Sequence, residues 1–78
     1  MPLKELISTI AQALVDDPDG VEVREIEEDQ SSLIELRVAK GDVGKVIGKE
    51  GRTAQSMRTI LAAVSTKLGK RAHLDIVD

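Results

Sequence analysis

The residues of this chain best suited to chemistry are Gly48-Lys49-Glu50-Gly51, with Lys45 ahead of them and Arg52 directly after. Glycine adopts positive φ readily and has no Cβ, so a turn with two of them can bring its backbone N–H groups against a bulky ligand. Lys45, Lys49 and Arg52, together with the free donors at the start of a following helix, favour an anion. Phosphate is the natural choice. The overlapping string Gly44-Lys45-Val46-Ile47-Gly48-Lys49 also invites comparison with a P-loop, but three residues separate its glycines where that motif needs four. Glu50 moreover stands where the magnesium-binding Ser or Thr would be.

Other chemistry is poorly served. The 78 residues include no Cys and one His, so neither a disulfide nor a thiolate metal site is possible, and no convincing nucleophile–base pair can be assembled. His73 alternates outward on a predicted strand and reads as a surface residue. Catalysis, a metal and a cofactor are therefore not expected. The absence of Phe, Tyr and Trp removes any aromatic platform for stacking bases.

The net charge of −3 hides a strong asymmetry. Residues 1–36 carry two cations against ten acids, a net of −8, whereas residues 37–78 carry nine against four, a net of +5. Surface charges more than about 8 Å apart are largely screened at physiological salt, so the local excess around the glycine turn matters more than the total.

The elements that must hold this turn can be read from apolar spacing. Leu3, Leu6, Ile7, Ile10 and Leu14 recur at helical intervals, predicting a helix over residues 2–15 with Pro2 in its first turn. Asp16-Asp17-Pro18-Asp19-Gly20 ends it. Val21 and Val23 alternate with Glu22 and Arg24 as in a half-buried strand, and Ile26, out of phase, predicts a bulge or an early end. After a polar connection over residues 27–31, Ile34, Leu36 and Val38 alternate with Glu35 and Arg37. Gly41 breaks this strand, and Asp42 is placed to cap a short helix carrying Val43, Val46 and Ile47. Beyond the turn, Ala54, Met57, Leu61, Val64 and Leu68 follow helical spacing until Gly69 stops the run. Ala72, Leu74 and Ile76 form the last strand. The order is α-β-β-α-α-β in one domain, residues 1–78, and implies a mixed three-stranded sheet with three helices on one face.

This order, with Gly-x-x-Gly joining the two central helices, resembles the type II KH fold, an α+β nucleic-acid-binding module. Residues 42–53, Met57-Arg58-Thr59-Ile60 and Gly69-Lys70-Arg71-Ala72-His73-Leu74-Asp75-Ile76 extend the resemblance to the small bacterial single-KH proteins of the KhpA (YlqC-like) family. The resemblance implies a cytoplasmic protein that binds single-stranded RNA and acts as an RNA chaperone or post-transcriptional regulator, linked in some bacteria to cell elongation and division. It implies homodimers, and pairing with a larger KH-containing protein of the KhpB (Jag, EloR) type. Carried onto this chain, Gly48, Lys49, Glu50 and Gly51 meet the sugar-phosphate backbone, Arg52 and Lys45 flank it, and Val46, Ile47 and strand residues near Val38 floor the base groove. Glu50 and the acidic residues 27–29, in the variable loop expected on the opposite rim, should weaken binding by one domain.

Ile60 and Ala63 lie beside the core stripe of the long helix and mark a candidate subunit interface. They motivate an alternative function, a module whose main role is protein pairing with RNA contact secondary. Residues 1–5 have neither the basic region nor the apolar run of a secretory signal. No apolar run approaches the roughly 20 residues that cross a bilayer. A soluble cytoplasmic protein without membrane contact is expected.

Overall fold

The structure, a computed structural model, describes residues 3–77. Its order is α1 (Leu3–Leu14), β1 (Glu22–Glu27), β2 (Ser31–Arg37), α2 (Val43–Ile47), α3 (Arg52–Lys67) and β3 (Arg71–Val77), with 3₁₀ turns at Pro18–Gly20, Lys40–Asp42 and Lys49–Gly51. Pro2, expected in the first turn of α1, lies outside the described residues. The expected α-β-β-α-α-β order stands.

The sheet runs β1-β2-β3. β1 and β2 are antiparallel, joined by a tight connection in which the Glu28 N–H donates to Ser31 O at 2.8 Å. β2 and β3 are parallel because two helices intervene between them. On one face Val23, Ile34, Leu36 and Leu74 pack with Leu3, Ile7 and Ala11 of α1 and Met57 and Leu61 of α3 into a single core. α2 contributes the fully buried Val46 and packs against α1 and α3. Fully burying such an aliphatic side chain contributes roughly 1.5–3 kcal/mol, so this cluster is what sets the angle at which α2 and α3 meet.

Three expectations need correction. β1 has no bulge: the pairing runs unbroken from Glu22↔Arg37 to Glu27↔Ser32. Ile26 is instead an outer-face residue, opposite Leu33 and 40% exposed. Leu14 and Leu68 keep the helical period yet lie exposed at helix ends that overrun the core, and Val15 takes the buried position at the end of α1. Finally, the acidic residues 27–29 do not face the glycine turn. Glu28 and Asp29 share a hollow with Thr66, Gly69, Lys70 and Arg71 at the far end of α3, whose sixteen residues extend about 24 Å.

Candidate nucleic-acid interface

α2 ends when Gly48, at φ 77° and ψ 172°, turns the chain in a conformation that is essentially glycine-only. A Cβ there would lie 2.1 Å from Thr53 Oγ1 and 2.8 Å from Thr53 N. The space that Gly48 leaves is therefore taken up inside the protein, by the first turn of α3. Gly51 differs: it has φ 75° but nothing within 4 Å of an added Cβ. Between them Glu50 also sits in the left-handed region, at φ 57° and ψ 25°. A non-glycine residue there costs on the order of 1–2 kcal/mol, and strain of this kind gathers where a backbone must present groups to a ligand.

The turn's hydrogen bonds show which donors are left for a partner. The Gly48 N–H closes α2 onto Gly44 O at 2.9 Å, and the Gly51 N–H donates to Gly48 O at 3.1 Å. The Arg52 N–H donates to Lys49 O. That leaves the apex, Lys49 and Glu50, with both residues exposed. Immediately beyond, α3 begins with Gly51 as its N-cap and no side-chain cap, so no side chain of the cap residue covers its first turn at the positive end of the helix dipole.

The cations divide sharply. Among the described residues Lys49 enters no ion pair. Arg52 reaches Glu50 Oε2 at 3.4 Å, a pair exposed on both sides and worth at most about 1 kcal/mol; an arriving phosphate can displace it. Lys45 is committed elsewhere. Its Nζ lies 3.2 Å from Asp16 Oδ2 and 3.4 Å from Asp42 Oδ1, and the hydrogen bonds to Asp16 and then Asp42 raise its pKa above the ordinary lysine value.

Asp42 itself corrects the expected cap. It occupies the residue before α2 but makes no side-chain cap bond. Its buried carboxylate accepts the N–H groups of Asp16 at 3.3 Å and Asp17 at 3.1 Å, tying the exit of α1 to the entry of α2. Removal from water pushes the Asp42 carboxyl up, but the Asp17 and Asp16 amides and the Lys45 ammonium outweigh this and hold it below the usual range.

The apolar residues divide as well. Val46 is fully buried and Val38 nearly so, whereas Ile47 is 39% exposed beside Gly48. Val46 therefore packs in the core beneath α2, and its expected place on the floor of a base groove does not fit its burial. Arg58 donates through Nε and Nη2 to Leu74 O, covering a carbonyl on the outer edge of β3. Lys70 likewise has a partner, Glu25 Oε2 at 3.6 Å, which also accepts from the buried Ser32 hydroxyl at 3.1 Å. Ile60 is 45% exposed on α3, with Ala62 and Ala63 exposed beside it.

A helix–Gly-x-x-Gly–helix joint on a three-stranded α+β scaffold is a KH arrangement, and a family model described as KhpA/KhpB, KH domain, matches residues 4–76. The chain belongs to this family. It is 56% identical over 73 residues to the RNA-binding protein KhpA of Caldanaerobacter subterraneus subsp. tengcongensis, covering 94% of this chain and 97% of that protein. The RNA-binding protein KhpA of Aquifex aeolicus is 49% identical over 76 residues, 97% of this chain and 96% of its own. That of Borreliella burgdorferi is 46% identical over 74 residues, 95% and 90% respectively. Among the described residues, no helix is long and apolar enough to cross a membrane.

Proposed function

We propose that this protein is a cytoplasmic RNA-binding adaptor that grips about four nucleotides of single-stranded RNA and works as an RNA chaperone or post-transcriptional regulator. The amides at the apex, Lys49 and Glu50, and the uncapped start of α3 hold phosphates between Gly48 and Gly51. Lys49 and Arg52 supply the charge, with Ile47 as the exposed apolar floor. Lys45 and Val46 act from behind, Lys45 by fixing α2 against the end of α1 and Val46 by packing beneath it. The observation that carries this reading is the exposed, strained apex with an unneutralised lysine, in a chain whose relatives are named RNA-binding proteins.

If three or four phosphates are neutralised, log K should fall against log salt with a slope of roughly −2 to −3. Lys49→Asp should lower affinity for a single-stranded RNA about tenfold or more while the circular dichroism spectrum and melting temperature stay unchanged. A folded Lys49→Asp protein with wild-type affinity would defeat the assignment.

Pairing through α3 is the second part of the proposal, favoured by the exposed strip of Ile60 and Ala63. A homodimer duplicates the turn, and two linked weak sites gain through raised effective concentration. The joint family name, KhpA/KhpB, favours a KhpB-type KH protein as the alternative partner. Ile60→Asp is expected to sediment as a folded monomer; sedimentation identical to that of a dimeric wild type rules out this strip. The reading of the protein as chiefly a pairing module is not favoured, since the relatives carry RNA binding in their names.

A further inference from the structure

The two cations that flank the glycine turn each face a carboxylate of the chain itself. Arg52 has Glu50, its neighbour in the turn. Lys45 has Asp16, far earlier in the sequence, where α1 gives way to the Pro18–Gly20 turn. The two acids around Lys45 Nζ are unlike. Asp42 has 6% of its side chain exposed, whereas Asp16 has 83%. Asp42 is satisfied by the amides of Asp16 and Asp17, and those bonds hold α2 to the end of α1 whether or not Lys45 stays. Asp16 is the nearer to Nζ, 3.2 Å against 3.4 Å, and its hydrogen bond is the strongest influence raising the Lys45 pKa.

Lys45 shares the last turn of α2 with Gly48, whose N–H still donates in helical register to Gly44 O. Residues three apart on a helix are surface neighbours, and three residues rise about 4.5 Å. The flexible four-carbon stem of a lysine covers that span. A phosphate beside Gly48 and the Asp16 carboxylate are therefore alternative partners for one ammonium.

Resting on the RNA reading above, we infer that Asp16 is an internal competitor of RNA phosphate: its carboxylate covers Lys45 in the free protein and yields it when a strand binds. An exposed pair opens easily, so the cover lowers affinity without closing the site, by at most about fivefold. Asp16 does to Lys45 from the end of α1 what Glu50 does to Arg52 within the turn. The acidic first half of the chain thereby acts on the basic second half at one defined contact.

Fluorescence anisotropy of the full chain with a labelled single-stranded RNA dodecamer tests this. Asp16→Asn keeps the backbone N–H that Asp42 accepts and removes the competing charge. It should bind RNA about three- to fivefold more tightly than wild type. Its plot of log K against log salt should steepen by about 0.7, one further phosphate contact on a single strand. Asp19→Asn is the control for net charge, since Asp19 is exposed in the same connection and enters no ion pair among the described residues. It should change affinity by less than about 1.5-fold. In a Lys45→Ala background, Asp16→Asn should bring no gain. Equal gains from Asp16→Asn and Asp19→Asn overturn the inference, because overall charge would explain both. So does a gain that persists without Lys45, or wild-type affinity in Asp16→Asn. If Lys45→Ala does not fold, the salt dependence decides in its place, and an unchanged slope overturns the inference. Lys49→Asp judges the RNA reading separately. A wild type that binds no RNA overturns both.

Discussion

The two ends of α3 carry nearly the same cations and do opposite things with them. At its start stand Lys49 and Arg52, at its close Lys67, Lys70 and Arg71. The starting end has no side-chain cap and three residues of positive φ within four positions, Gly48, Glu50 and Gly51. Its dipole adds to the local positive charge. The closing end is tied down: the Lys70 N–H donates to Ser65 O and the Gly69 N–H to Thr66 O, the paired bonds of a Schellman closure. Lys70 is held by Glu25, Glu28 and Asp29 stand close to Arg71, and the dipole is negative there. The hollow at this end is sizeable, about 900 Å³, yet its mixed charge suits no polyanion. Counting basic residues would not separate these ends; asking which of them already have partners does.

The comparison can be broken most forcefully at the glycines. Gly48 and Gly69 have nearly equal φ, 77° and 76°, but only at Gly48 would a Cβ collide with a neighbour. Gly48→Ala is expected to lower unfolding stability by roughly 2–4 kcal/mol, through backbone strain and the clash with Thr53. Gly69→Ala should cost about 1 kcal/mol, the left-handed penalty alone. Urea denaturation of both variants checks this. Equal losses would mean that Thr53 yields easily and that the joint is not rigid.

A smaller effect sharpens the contrast between the lysines. Lys70→Ala leaves Glu25, only 13% exposed in its side chain, without its cation, and should cost about 1 kcal/mol of stability while RNA affinity changes by less than about twofold. Lys49 substitutions have the reverse profile, since an exposed residue without an ion pair contributes little to folding. Anisotropy and denaturation measured on the same preparations separate the two. An RNA defect in Lys70→Ala equal to that of Lys49→Asp would erase the distinction.

Much of this was legible in the sequence because it is local. Helical period placed α3, Gly69 marked its end, and the glycine pair with its cations marked the turn. What was not legible depends on contacts between distant residues. Asp42 has the type and position of an N-cap, but its carboxylate is claimed by amides 25 and 26 residues away, which no short-range rule can see. Lys45 looks like a turn cation until Asp16 folds back to it. Ile26 broke the alternation of β1 without a bulge, because the outer face of the sheet carries its own apolar contact with Leu33. Gly48 was read as room for a ligand, whereas the neighbour that needs the room is Thr53.

The central claim is that polynucleotide meets the starting end of α3 and leaves the closing end alone. Amide chemical shifts of the isotope-labelled protein, followed during titration with a single-stranded RNA dodecamer, test it directly. The account predicts the largest changes at Lys49, Glu50, Arg52 and Thr53, with residues 28–31 and 69–71 unmoved. Changes concentrated in those last two segments, with Lys49 and Glu50 still, would contradict it.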